Sequence, residues 1–87
     1  MITEFEKRIG ISKEDILSRR RTQILSDIRH LYWYLLFKNG VCYSEIARMN
    51  DRGHAAVIWG VGKIEGLLQI KDPETIRMWE LVKEIKR

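Results

Sequence analysis

Cysteine and proline occur once each, as Cys42 and Pro73, and glycine six times in 87 residues. A lone thiol makes no internal disulfide, so the fold is expected to stand without one, as suits a reducing cytoplasm. So few turn formers argue against an all-β chain that reverses every ten residues or so. Long apolar runs are also missing. The longest, Leu31-Tyr32-Trp33-Tyr34-Leu35-Leu36-Phe37, falls far short of the roughly 20 residues that a membrane helix needs. The first six residues hold no basic and apolar signal segment, so a soluble cytoplasmic protein is expected. His30 and His54, with only Cys42 between them, match no zinc spacing, and neither a metal nor another cofactor is expected. Cys42 has no base or acid placed to activate it and reads as a small buried residue. No order of nucleophile, histidine and acid stands out, so an enzyme is not expected.

What is present describes a globular chain: 45% apolar and 32% charged residues. A chain of this mass should fold to a surface of roughly 5,400 Å² from about 15,000 Å² when extended. That supports one core and a single domain over residues 1–87. The net charge of +4 is spread. Seven basic residues face five acidic ones over 1–30, four face three over 31–70, and five face four over 71–87. Arg19-Arg20-Arg21 is nonetheless a local spike, with no acid between Asp15 and Asp27. A polyanion touched at that spike fits this charge better than one wrapped around the whole surface.

The periodicity predicts five or six consecutive helices and an all-α fold. A first helix over about 3–9 pairs Phe5 with Ile9 and stops at Gly10. Ser12 with Asp15 three residues on reads as a capping box for a short helix to about residue 18. The arginines follow in a loop. A long helix begins between Gln23 and Asp27 and ends at Asn39-Gly40. Ile24, Ile28, Leu31 and Leu35, with Leu25, Tyr32 and Leu36 beside them, form its broad apolar face. Residues 43–49 make a two-turn helix with Ile46 and Met49 inward. After a polar turn, a helix over about 54–68 buries Val57, Val61, Ile64 and Leu68. Asp72 and Pro73 then read as N-cap and first position of a last helix, about 73–86. That helix carries Ile76, Trp79 and Val82 on one line and Met78, Leu81 and Ile85 on another.

A two-turn helix, a short turn and a longer helix with a polar start is the layout of a helix-turn-helix. Its second helix must reach base edges in a groove about 12 Å wide. The apolar stripe from Val57 to Ile64 faces inward, leaving Arg52, Gly53, His54 and Ala55 at the outer tip. Arginine is planar and weakly hydrated, which suits insertion in a narrow minor groove beside such a tip. The plainer readings are a solvated loop paired with Glu14 or Asp15, and a surface histidine without a ligand.

Ile16-Leu17-Ser18-Arg19-Arg20-Arg21, Ser44-Glu45-Ile46-Ala47, Arg52-Gly53-His54-Ala55-Ala56-Val57 and Lys63-Ile64 together resemble the C-terminal DNA-binding domain of the bacterial replication initiator DnaA. The resemblance covers about residues 5–70 and leaves the last helix as an addition. It implies a Trp-repressor-like all-α fold and binding to double-stranded DNA, in replication initiation or its regulation. By position it implies Arg21 in the minor groove with Arg19 and Arg20 beside it, and Arg29 facing the backbone with His30 at the next, polar position. It also implies Tyr43 and Ser44 at phosphates, and Arg52, Gly53, His54 and Ala55 at the recognition-helix entrance. Gly53, Ala55 and Ala56 replace the family's aspartate and two threonines, the turn is one residue shorter, and Ile28 stands for a proline. The family's usual target sequence is therefore not expected. The family's ATPase domain does not precede Met1, so a free-standing domain is expected. Gly60-Val61-Gly62-Lys63 lacks the remaining glycine and hydroxyl of a phosphate loop, so no nucleotide is expected there.

Two rival readings remain open. One is a dimeric Trp-repressor-like transcriptional regulator, whose two-fold symmetry would double the phosphate contacts. The other is a helical module that binds a protein and no DNA. Trp33 and Trp59 fall off the main inward stripes, and either close the core against the last helix or form a patch for a protein partner or a second copy.

Overall fold

The computed structural model describes residues 1–20 and 22–86; Arg21 lies outside the described residues. Among the described residues there are six helices and no strand: α1 (Ile2–Ile9), α2 (Lys13–Leu17), α3 (Gln23–Lys38), α4 (Tyr43–Met49), α5 (His54–Gln69) and α6 (Pro73–Val82). None is long and apolar enough to cross a membrane. The accessible surface, 5407 Å², is that expected for a folded chain of this mass.

Local chemistry sets most helix ends. Gly10 closes α1 at φ 82°, and its amide donates to the Glu6 carbonyl. Ser12 Oγ accepts from the Asp15 amide at 3.2 Å, and Thr22 Oγ1 from the Leu25 amide at 3.2 Å. The Asp72 carboxylate accepts from both the amide and the hydroxyl of Thr75, with Pro73 in the first turn. These bonds to Thr75 hold the Asp72 carboxyl below its ordinary pKa.

α3 is the spine. It buries Leu25, Ile28, Leu31, Tyr32, Trp33, Tyr34, Leu35 and Leu36, so the helix is enclosed on nearly every side. Phe5 of α1 meets Tyr32, and Trp79 of α6 meets Tyr34 edge-on at 4.9 Å. α5 lies along α3 with Val57, Val61 and Ile64 inward. Gly60 makes that approach close: a Cβ there would stand 2.6 Å from His30 Cδ2 and 2.8 Å from Trp33 Cε3. Each large side chain buried in this way contributes about 1.5–3 kcal/mol.

Several expectations fail for reasons of packing. Trp33 is not among them: of its two open readings the core one holds, because α3 has neighbours where a one-faced helix would meet solvent. Ile24 is exposed in the first turn of α3, beside a shallow cleft shared with Met78 and Glu74. Met49 is exposed because the inward positions of α4 are Ile46, Ala47 and Asn50, the last buried with its amide donating to the Ile46 carbonyl. Cys42 is exposed as the N-cap residue of α4, and Val41 is buried in its place. Leu81 is exposed. α6 ends at Val82; the chain turns, and Ile85 is buried with its carbonyl accepting from Asn39 Nδ2.

Candidate nucleic-acid interface

The α4–α5 turn is drawn tight by local bonds. The Arg52 amide donates to the Ala47 carbonyl at 2.9 Å, and Asp51 takes a left-handed φ of 52°. That conformation aims the Asp51 side chain away from α4 and toward the loop after α2. Arg19 Nη2 meets Asp51 Oδ2 at 2.9 Å. In return Arg52 Nη2 donates to the Ser18 carbonyl at 2.6 Å. The arginine loop and the start of α5, distant in sequence, are thus clasped side by side. Arg20 remains exposed, with one nitrogen 3.5 Å from Asp15 Oδ1.

Arg29 does not face outward as the resemblance implied. It is buried, and its Nε donates to the Ile16 carbonyl at 2.7 Å while Nη2 reaches Ser18 Oγ at 3.1 Å. It anchors the end of α2 to α3, so the loop that follows starts from a fixed point. Burial, and then the charge of Arg52, lower its pKa.

Gly53 caps α5 without a side-chain bond, and His54 and Ala55 stand exposed in the first turn. A helix start of this kind favours anions through its amides and its dipole. His54 presents its ring edge-on to Tyr43, which itself stacks on Phe37 at 4.8 Å. Tyr43 is therefore half-buried support, while Ser44 is exposed beside it. The Arg19–Asp51 pair sets Arg19 beside Arg52, Gly53, His54 and Ala55, and Tyr43 with Ser44 at the start of α4 adjoins them through His54.

Behind this tip a cleft of about 520 Å³ runs between α3 and α5. Among the described residues its cations are Arg19, Arg29, Arg52 and Lys63, and no carboxylate lines it. Asp51 and Asp27 pair with Arg19 and Lys63 from its rim. His30 forms its floor, half-buried between Trp33 and Trp59, and its Nδ1 is buried without a hydrogen-bond partner. Burial, then the charge of Lys63, hold the imidazole below its ordinary pKa, with Asp27 opposing and Arg29 adding a smaller push.

Gln23, Ser26 and Lys63 were not singled out from the sequence as site residues, and Trp59 was read only as core or as a patch for a protein partner or a second copy. Ala56, Trp59 and Lys63 share one line at i, i+3 and i+7, and that outward line was the signal available. Among the described residues no group of three or more His, Cys, Asp or Glu is gathered as for a metal ion. Comparison with protein-family models, curated proteins and solved structures found no match.

Proposed function

We propose that this chain binds double-stranded DNA, with α4, the turn and α5 acting as a helix-turn-helix. The start of α5 enters the major groove through Arg52, Gly53, His54 and Ala55. Arg19, Arg20 and Arg21 meet the adjacent minor groove. Helix-start amides and Ser44 meet phosphates, while Arg29 and Tyr43 support the groups that do. The observation that carries this reading is the double clasp between loop and turn, Arg19 to Asp51 and Arg52 to Ser18, which fixes the basic loop beside the helix tip. A helix in one groove with a basic segment in the next is a known way to contact a duplex, and the clasp holds this pair ready for it. The sequence resemblance points the same way. On it the fold is Trp-repressor-like, akin to the C-terminal domain of DnaA, and the role lies in replication initiation or its control.

The test is duplex affinity measured across salt concentrations. Affinity should fall steeply with salt, and Arg20→Ala should remove about one unit of slope. His54→Ala should weaken binding to a selected sequence by about 1–3 kcal/mol and leave mixed-sequence DNA nearly unchanged. A flat salt response, or an Arg20→Ala slope equal to that of Arg8→Ala, would overturn the proposal.

A further inference from the structure

The cleft behind the tip carries a feature that duplex binding leaves unused. Trp59 is 62% exposed in the middle of α5, where a polar side chain would satisfy the helix equally well. Its ring is nevertheless held in place. His30 meets it edge-on with centroids 5.4 Å apart, and Lys63 Nζ lies 5.3 Å from its centroid. A ring already fixed loses little freedom when something stacks on it. Ala56, one turn earlier, lines the cleft without adding bulk.

We propose that the α3–α5 cleft binds a nucleotide of a single nucleic-acid strand, its base stacked on Trp59 and its flanking phosphates at Lys63 and Arg19. Aromatic platforms set in cationic grooves hold single strands in this manner, because every base has a π-face. A paired base in a duplex offers only its edge to a groove, so stacking on the exposed Trp59 side chain needs a base out of its stack. The size of the cleft falls within the roughly 300–1,000 Å³ of small-ligand sites. Its cations come from the loop before α3, α3 itself, the turn and α5; Arg29 and Arg52 hold backbone carbonyls, so Arg19 and Lys63, on separate elements, are the pair assigned to the phosphates on either side of a base. To receive phosphate, Arg19 and Lys63 exchange the carboxylates of Asp51 and Asp27, both at the rim.

This second mode stands on the cleft alone and needs no insertion of the α5 tip into a groove. The experiment compares oligothymidylate of about ten nucleotides, the same length of abasic strand, thymidine 5′-monophosphate and a duplex, each titrated against the whole chain. Trp59→Ala should weaken oligothymidylate binding about tenfold, and Trp59→Phe should restore most of it. Trp59→Ala should alter abasic-strand and duplex affinity less than twofold. Because Trp59 is exposed, both variants should keep the helical circular dichroism of the parent. Abasic strand binding as tightly as oligothymidylate, or Trp59→Ala without effect on oligothymidylate, overturns the proposal. Monophosphate binding as tightly as the strand also overturns it, by making the ligand a free nucleotide. Loss of duplex binding alone strikes only the helix-turn-helix reading.

Discussion

Arg52 Nη2 donates to the carbonyl oxygen of Ser18 at 2.6 Å, and the same guanidinium reaches the carbonyls of Asn50 and Asp51 in its own turn. One side chain thereby ties the start of the arginine loop to the turn before α5. A flat guanidinium with several fixed donors can serve three carbonyls at once, which an ammonium on a flexible stem cannot.

Replacing it should show that geometry. Arg52→Ala should cost about 1–3 kcal/mol in urea unfolding, the range for charge-assisted bonds to carbonyls. Arg52→Lys should recover only a minor part. If lysine restored full stability, charge alone would be holding the loop.

Gly60 and Gly62 should answer alanine in opposite directions. A Cβ at Gly60 collides with the His30 and Trp33 rings, both confined by their neighbours, whereas one at Gly62 meets nothing within 4 Å. Gly62→Ala should stabilise α5 by up to about 1 kcal/mol. At Gly60 the same gain is outweighed by an overpacking cost of about 1–3 kcal/mol. Thermal melts of the two variants decide it; a rise for both would mean the helices separate freely.

Val61 is 1% exposed at the α5 face that packs on the core. Val61→Asp places a charge there without a partner and should unfold the chain or detach α5. Far-UV circular dichroism should report the loss of helix, and a fully helical variant would refute the inward face.

His30 makes stability depend on pH. Its folded pKa lies below the ordinary 6.5, mainly because of burial. The unfolded chain therefore binds the proton more readily, and stability rises with pH. The contribution should be complete above pH 6.5 and decline as pH falls from there to the lower folded value. His30→Gln should flatten this part of the curve relative to the parent, with the carboxylate-dependent loss at lower pH kept in both. Parallel curves would place the pH dependence elsewhere.

The helix order was legible in the sequence because it rests on short-range chemistry: Gly10, Ser12, Asn39-Gly40 and Asp72 act within four residues of themselves. What periodicity could not supply is the number of neighbours a helix has. A stripe is a one-sided idea, and α3 is enclosed, so Trp33 is core although it falls off the stripe, while Trp59, on a helix with one open side, is exposed off its stripe. The same limit explains Ile24 and Met49. Of the candidate site, Arg52, His54 and Ala55 could be read from their place at a helix start. The inward turn of Arg29 could not, since its partners Ile16 and Ser18 belong to another helix and its end. The Arg19–Asp51 pair was invisible for a related reason, as it depends on the left-handed backbone of Asp51.

Arg19, Arg20 and Lys63 each already face an acid of their own chain, Asp51, Asp15 and Asp27. Any incoming anion must displace a resident competitor before it gains anything. Brief or ill-fitting encounters are thereby discouraged, and only a partner that engages several of these sites together crosses the threshold. The acids thus act as a filter against indiscriminate adhesion, achieved without lowering the number of positive groups on that face.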